Sequence, residues 1–294
     1  MKSKRTLWFA ALGLMLLLTA CGANNTNNSG NTAGEPSTAG SADSASEQTV
    51  IKVATYNVPS PFFSFFDENN QRVGYLEDYL KALEEKLPEY KFEYESVDWD
   101  SMLIGTDTGK YAFMASNVFK TPEREEKYIY PKKEFVYSLI SLLTRTDRDD
   151  IKTLDDVVGK KLVPMVPTDG MRVVVDDYNK AHPDNTIKIE NIDKRTTADV
   201  FNFLRTKQYD TSISLSLNFQ GATEEERKDL KISAMVSKEP AYLLFNKKQG
   251  ALADKVDAVT DELTKDGTLS KLSEKWFGVD VFKSIDEINA SSTN

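Results

Sequence analysis

A chain of 294 residues, 40% hydrophobic and 28% charged, is long enough for one large domain or two ordinary ones. With 46 acidic against 37 basic residues it carries a net charge of −9, which repels a phosphate backbone and argues against nucleic-acid binding. A single cysteine, Cys21, excludes an intramolecular disulfide or a paired-thiolate zinc site, and a single histidine, His182, argues against a His-rich metal centre and limits His-based acid–base chemistry.

The chain opens with Lys2, Lys4 and Arg5, then an apolar run from Leu7 to Leu18 that is short for a bilayer span. A basic start, a short apolar stretch and small residues predict a secretory signal over residues 1–20. The run ends Leu18-Thr19-Ala20-Cys21-Gly22, which resembles a bacterial lipobox. That resemblance implies lipidation of Cys21 and an extracytoplasmic body attached to the cell membrane by lipid; the competing reading is a buried cysteine in a membrane helix. Removal of the signal leaves 34 basic residues against 46 acidic ones, a net charge of −12. Residues 21–49, rich in Asn, Ser, Thr, Gly and Ala, bury too little surface to fold and predict a leash reaching roughly 30 Å, or else a glycosylated stalk.

The body alternates strand and helix patterns. Val50–Thr55 predicts a strand, Tyr75–Leu87 a helix with Leu76, Tyr79, Leu80, Leu83 and Leu87 on one face, and Lys91–Val97 a strand. A short helix follows from about Asp100, a strand at Tyr111–Ala115 and a helical turn at Pro122. Phe135–Arg145 predicts a long crossing strand, Ile151–Val158 a short helix and Leu162–Val166 a strand. Helices are expected at Asp169–Ala181 and Thr197–Lys207, with strands at Ile187–Ile192 and Tyr209–Leu215. Strands at Ile232–Val236 and Tyr242–Asn246 and helices at Leu252–Lys265 and Leu269–Phe277 complete the pattern, with a loose tail at Ala290–Asn294. This alternation indicates an α/β fold with mainly parallel sheets.

One cation stands out. If Thr121 caps and Pro122 starts a helix, Arg124 falls in the first turn, where the macrodipole disfavours it unless an anion sits beside it. The competing reading is an Arg neutralised by Glu123, Glu125 or Glu126.

Several motifs occur in a consistent order: Pro61-Phe62, Asp67-Glu68-Asn69, Val73-Gly74-Tyr75, Asp98-Trp99-Asp100, Thr121-Pro122-Glu123-Arg124, Leu154 to Lys161, Asp266-Gly267-Thr268-Leu269 and Lys275-Trp276-Phe277-Gly278. From Val50 to about Val281 the chain resembles the solute-binding proteins of amino-acid ABC importers. The resemblance implies the two-lobed periplasmic-binding-protein-like fold of type II, each lobe a mixed, mainly parallel sheet flanked by helices. It places residues 50–143 plus 237–282 in lobe 1, 144–236 in lobe 2 and 283–294 in a C-terminal tail, with hinge strands near Leu139–Thr144 and Val236–Phe245. Leu87 to Phe92, Pro122 to Tyr128, Pro167-Thr168 and Tyr178 to Asn185 resemble the branch that takes up cystine and related sulfur compounds.

The resemblance implies that Arg124 grips a ligand carboxylate. Ser116 and Asn117 would add polar contacts, Trp99 and Phe62 would wall the pocket, and Thr168 and Asp169 would face the ligand from the other lobe. The plain alternatives are a solvated strand end for the first pair, core aromatics for the second and ordinary helix caps for the third. Three departures from the pattern stand out: Leu215 where relatives often carry an aspartate for the ligand ammonium, Phe119 where a Thr or Ser is usual, and Pro59 in place of an aromatic. Phe119 remains a candidate site residue. Because burying an ammonium without a carboxylate costs several kcal/mol, either Asp169 or another acid supplies the charge, or the ligand lacks a conventional ammonium.

The expected function is a lipid-anchored, monomeric, non-catalytic binding module that delivers an amino acid or related small carboxylate to an ABC permease. The alternatives are a two-lobed sensor reporting to a membrane receptor and a diverged binding protein with a non-amino-acid ligand. No HExxH, GxSxG or Walker motif appears, His182 lies in a Pro-Asp-Asn turn, and Asp155-Asp156 and Asp176-Asp177 are neighbours on solvated helix faces. No cofactor, metal or nucleic acid is expected.

Overall fold

Strand β1 (Thr49–Tyr56) forms where the β-branched run predicts it, and its Val53 and Ala54 are fully buried. The computed structural model describes residues 48–291; the signal segment, Cys21 and the leash up to residue 47 lie outside them, as do residues 292–294. A short hairpin, β2 (Phe65–Phe66) and β3 (Arg72–Val73), turns through Asp67, whose side chain accepts the N–H groups of Asn69 and Gln71. Helix α1 (Tyr75–Lys86) buries Leu76, Tyr79, Leu80 and Leu83 at 3–4 residue spacing. Then come β4 (Tyr90–Val97), α2 (Trp99–Thr108), β5 (Phe113–Val118), α3 (Pro122–Lys127) and β6 (Val136–Arg145).

Beyond β6 lie α4 (Arg172–Ala181), α5 (Thr197–Arg205), β7 (Ser212–Leu215), α6 (Ser216–Gln220) and α7 (Glu224–Arg227). The chain closes with β8 (Leu230–Phe245), α8 (Gly250–Lys265), α9 (Thr268–Phe277) and α10 (Ile285–Ser291). The strands follow the order β4-β1-β5-β8-β6-β7. β1 runs parallel to both β4 and β5, whereas β8 pairs antiparallel with β5 and with β6, and β6 antiparallel with β7.

β6 and β8 link the two halves of this arrangement. The last residues of β8, Tyr242–Phe245, pair with β5, while Leu230–Ala241 pair with β6. Two strands are expected here, and one continuous strand forms. Pro240 is tolerated within it because β5 joins only from Tyr242 onward, so the missing N–H removes no bond on that flank.

Three expected elements in the second half are shorter than their patterns suggest. Leu162–Val166 carries only the parallel bridges Leu162 to Thr211 and Met165 to Asn191, since Pro164 interrupts the ladder. Ile187–Ile192 is not a strand: the Asn179 side chain takes the Ile187 N–H at 2.6 Å and its carbonyl at 2.9 Å, groups that a ladder would otherwise use. Ile151–Val158 contributes a single 3-10 turn at Asp155–Val157.

An aromatic core sits under α1. Tyr79 stacks on Phe135 at 4.7 Å, Tyr75 on Phe277 at 5.0 Å, and Phe113 on Phe245 at 4.8 Å across the β5–β8 pair. Tyr75 and Tyr79 satisfy their hydroxyls on the Phe135 carbonyl and the Thr260 hydroxyl, each at 2.6 Å. The C-terminal segment read as a tail begins with α10, which packs on β8 through the buried Ile288. Lys238 of β8 holds the chain just before it, donating to the carbonyls of Val281 and Phe282 at 3.2 Å.

Candidate functional site

The β5–β8 register slips between Met114 and Val118, so Ser116 and Asn117 have no paired position on β8. They sit where two adjoining cavities, of about 440 and 590 Å³, open between the halves of the molecule. That size suits a small solute. Tyr56, Trp99 and Asn117 line both cavities from one side, and Arg195, Thr196 and Asn218 line both from the other.

Arg124 faces the first cavity. Thr121 caps α3 by accepting the Arg124 N–H at 3.3 Å, and Pro122 takes the first helical position. The guanidinium lies 5.5 Å over the Trp99 ring and donates from Nη1 to the Phe119 carbonyl at 3.2 Å. Among the described residues no carboxylate comes within ion-pair distance of it, so Glu123, Glu125 and Glu126 do not neutralise it. The Tyr130 hydroxyl shares the Phe119 carbonyl at 3.0 Å. Burial pushes that phenol well above its ordinary range, against the pull of Arg124.

Trp99 opens α2 behind the cap Asp98, which accepts the Ser101 N–H at 3.0 Å, and meets Tyr56 edge-on at 6.0 Å. Asn117 lines both cavities and donates to the Ser138 hydroxyl at 3.4 Å, whereas the buried Ser116 lines only the second. Phe119 lines the first cavity, and its carbonyl anchors Arg124. Phe62 lines neither. Its backbone takes the left-handed region at φ 62°, its ring packs edge-on against Phe65, and the neighbouring Phe63 turns inward to stack on Tyr75 and line the second cavity.

Thr168 and Asp169 line the first cavity, but they do not cap a helix, because α4 begins only at Arg172. Asp169 instead closes a turn, accepting the Met171 N–H at 3.0 Å, and pairs with Arg195 at 3.3 Å. The carboxylate considered as partner for a ligand ammonium is thus already engaged by a cation of the protein. Leu215 lines both cavities, and Ser214 lines the first.

Sequence reasoning did not single out Tyr56, Arg195, Thr196, Thr197, Asn218 or Arg72, all of which line the cavities. One local signal was present for the second-half residues: Thr196 and Asp199 form a capping box that starts α5. Arg72 is held in the second cavity by Ser64 at 2.9 Å, Ser96 at 2.8 Å, the Tyr56 carbonyl and Glu77 at 3.2 Å. Burial raises the Glu77 carboxyl, although the Ser64 hydrogen bond and Arg72 act in the opposite direction. Among the described residues no group of His, Cys, Asp or Glu is arranged to hold a metal ion, and no helix is long and apolar enough to cross a membrane.

Comparison with known proteins identifies the family and the fold. Residues 51–279 match the bacterial extracellular solute-binding proteins, family 3. The L-cystine-binding protein TcyJ of Bacillus subtilis is 31% identical, covering 81% of this chain and 87% of its own. Among solved structures, the probable amino-acid ABC transporter extracellular-binding protein ytmK from Bacillus subtilis superimposes with a TM-score of 0.68 at 25% identity, covering 79% of this chain and 99% of that one. A putative L-cystine ABC transporter from Listeria monocytogenes gives a TM-score of 0.61 at 27% identity, over 79% and 98% of the two chains. The chain carries the two-lobed, periplasmic-binding-protein-like α/β fold and belongs to the bacterial extracellular solute-binding proteins, family 3.

Proposed function

We propose that this protein captures an amino acid or related small carboxylate in the cleft lined by Arg124 and delivers it to an ABC permease without chemically changing it. The observation that carries this reading is a guanidinium facing a solute-sized cavity with no ion-pair partner among the described residues. A charged donor in that setting favours a bidentate carboxylate contact. Asn117 and Ser116 supply further polar contacts from the same wall, Trp99 and Phe119 shape it, and Thr168 and Asp169 belong to the opposite wall.

Capture works by closure. Lobe 1 spans residues 50–143 plus 237–282 and lobe 2 spans 144–236, with β6 and β8 as the two connecting strands. A solute that contacts both walls binds the closed arrangement more tightly and shifts the population toward it. Cystine and related sulfur compounds are the first ligands to test, given the relatives named for cystine. Cys21 carries the lipid that holds the monomeric protein to the outer face of the membrane, and the segment after it serves as the leash. Calorimetry and thermal shift against the amino acids, cystine and thiol derivatives test the reading. Absence of binding by every small anionic solute would refute it.

A further inference from the structure

The charge inside the cleft is opposite to that of the chain around it. The protein carries −9 overall. Yet the described residues lining the two cavities include three guanidinium groups, on Arg72, Arg124 and Arg195, and a single carboxylate, on Asp169.

These three cations differ in how fully they are engaged. Arg72 is tied to Glu77, Ser64, Ser96 and the Tyr56 carbonyl. Among the described residues Arg124 has the Phe119 carbonyl and the face of Trp99 but no ion-pair partner. Arg195 is the unusual one: its side chain is 6% exposed, its Nη2 donates to Asp169 at 3.3 Å, and its buried Nη1 has no hydrogen-bond partner. A buried cationic donor left unpaired is unfavourable, so the protein retains such a group most readily where a ligand completes it.

Arg195 directly precedes Thr196, the cap of α5, and Thr196 and the first helical residue Thr197 line both cavities. The positive end of that helix therefore adds to the field of Arg195. The nearby Asp199 carboxylate is occupied by the Thr196 N–H and hydroxyl, both at 2.8 Å. Asp169 is equally occupied, by Arg195 and the Met171 N–H. No free carboxylate remains among the lining residues to receive an ammonium.

We propose that the preferred ligand carries two anionic groups and no free ammonium, one anion held by Arg124 and the other by Arg195. This deepens the reading of the cleft as the solute site and rests on it. Chemically, the class is a small dicarboxylate whose amino groups, where it has them, are acylated.

Calorimetry of the purified protein with N,N′-diacetyl-L-cystine, L-cystine and the monocarboxylate N-acetyl-L-methionine tests it. Diacetylcystine is expected to bind at least about ten-fold more tightly than either of the others. Arg195→Gln should weaken diacetylcystine by about ten-fold or more and leave N-acetylmethionine within about three-fold. Asp169→Asn provides an independent sign: with the competing carboxylate removed, diacetylcystine binding should strengthen by about three-fold or more. A cystine affinity above that of diacetylcystine, or diacetylcystine binding that does not strengthen in Asp169→Asn, overturns the proposal while leaving a zwitterion-binding cleft intact. Failure of these probes and of every amino acid to bind would instead remove the solute-site reading itself.

Discussion

Pro61 and Gly221 meet so closely that a Cβ on Gly221 would lie 2.2 Å from the Pro61 Cβ and 2.3 Å from its Cγ. A second approach of the same kind joins Gly170 to Phe119, where an added Cβ would lie 2.7 Å from the ring Cδ2. In each pair one residue belongs to the half containing β1 and the other to the half containing β7. The absence of a side chain at these glycines sets how closely the walls approach. Gly221→Ala is therefore expected to hold the cleft partly open, lowering ligand affinity by about ten-fold or more with little change in melting temperature. Calorimetry beside a thermal melt measures both, and an unaltered affinity would show that this contact does not control closure.

Arg124→Ala should weaken carboxylate ligands by at least about 2 kcal/mol. The fold should tolerate the change, because the intramolecular hydrogen bond lost from the guanidinium is the one to the Phe119 carbonyl. Arg124→Lys should recover only part of the affinity, since an ammonium lacks the planar two-pronged donor. Retained affinity in the alanine variant would move the anion site elsewhere.

The second half of the molecule gathers two carboxylates around Arg148. Arg148 donates to Asp150 at 2.8 Å and to Asp210, and Asp210 also accepts the Lys161 N–H at 2.9 Å. Hydrogen bonds from Arg148 and then Lys160 hold the Asp150 carboxyl well below its usual range. For Asp210, burial acts upward but is outweighed by Lys161 and Arg148, and the net shift is downward. A depressed folded value means the stabilisation is present above the ordinary carboxylate range and is lost as pH falls through the folded value. Melting temperature should therefore drop below about pH 4. Arg148→Ala should melt lower at neutral pH and show a shallower acid limb; an acid limb identical to that of the parent would exclude this cluster as its source.

Replacing Cys21 with Ser should release the protein into the medium or leave an unprocessed precursor. Membrane fractionation and mass measurement of the N-terminus distinguish these outcomes. A processed, lipid-modified form of the Ser variant would contradict the proposed anchor.

Local patterns made much of the scaffold legible. Leu76, Tyr79, Leu80 and Leu83 repeat at helical spacing and form the buried face of α1. Thr121-Pro122 marks the start of α3, and so the placement of Arg124 followed from cap chemistry alone. The pattern was less reliable where side chains competed with the backbone. Asn179 claims both backbone groups of Ile187, and Pro164 interrupts Leu162–Val166, so neither segment becomes the strand its apolar residues suggest. Phe62 and Phe63 are equivalent as residue types. The left-handed backbone at Phe62 and the turn around it decide which ring lines the cavity.

The amino-acid order by itself determined the alternation of strands and helices and the capped turn that presents Arg124, because each depends on neighbours a few positions apart, and the composition fixed the acidic, cysteine-poor character of the body. Only the tertiary structure decided that Arg195 joins Asp169 opposite Arg124, that Leu215 and Asn218 share their cavity, and that two glycines let the walls touch. Arg124, Asp169, Arg195 and Leu215 stand on separate segments of the chain, so no local periodicity encodes their meeting around one cavity. The charge of the cleft is a property of that convergence, opposite in sign to the charge of the chain that forms it.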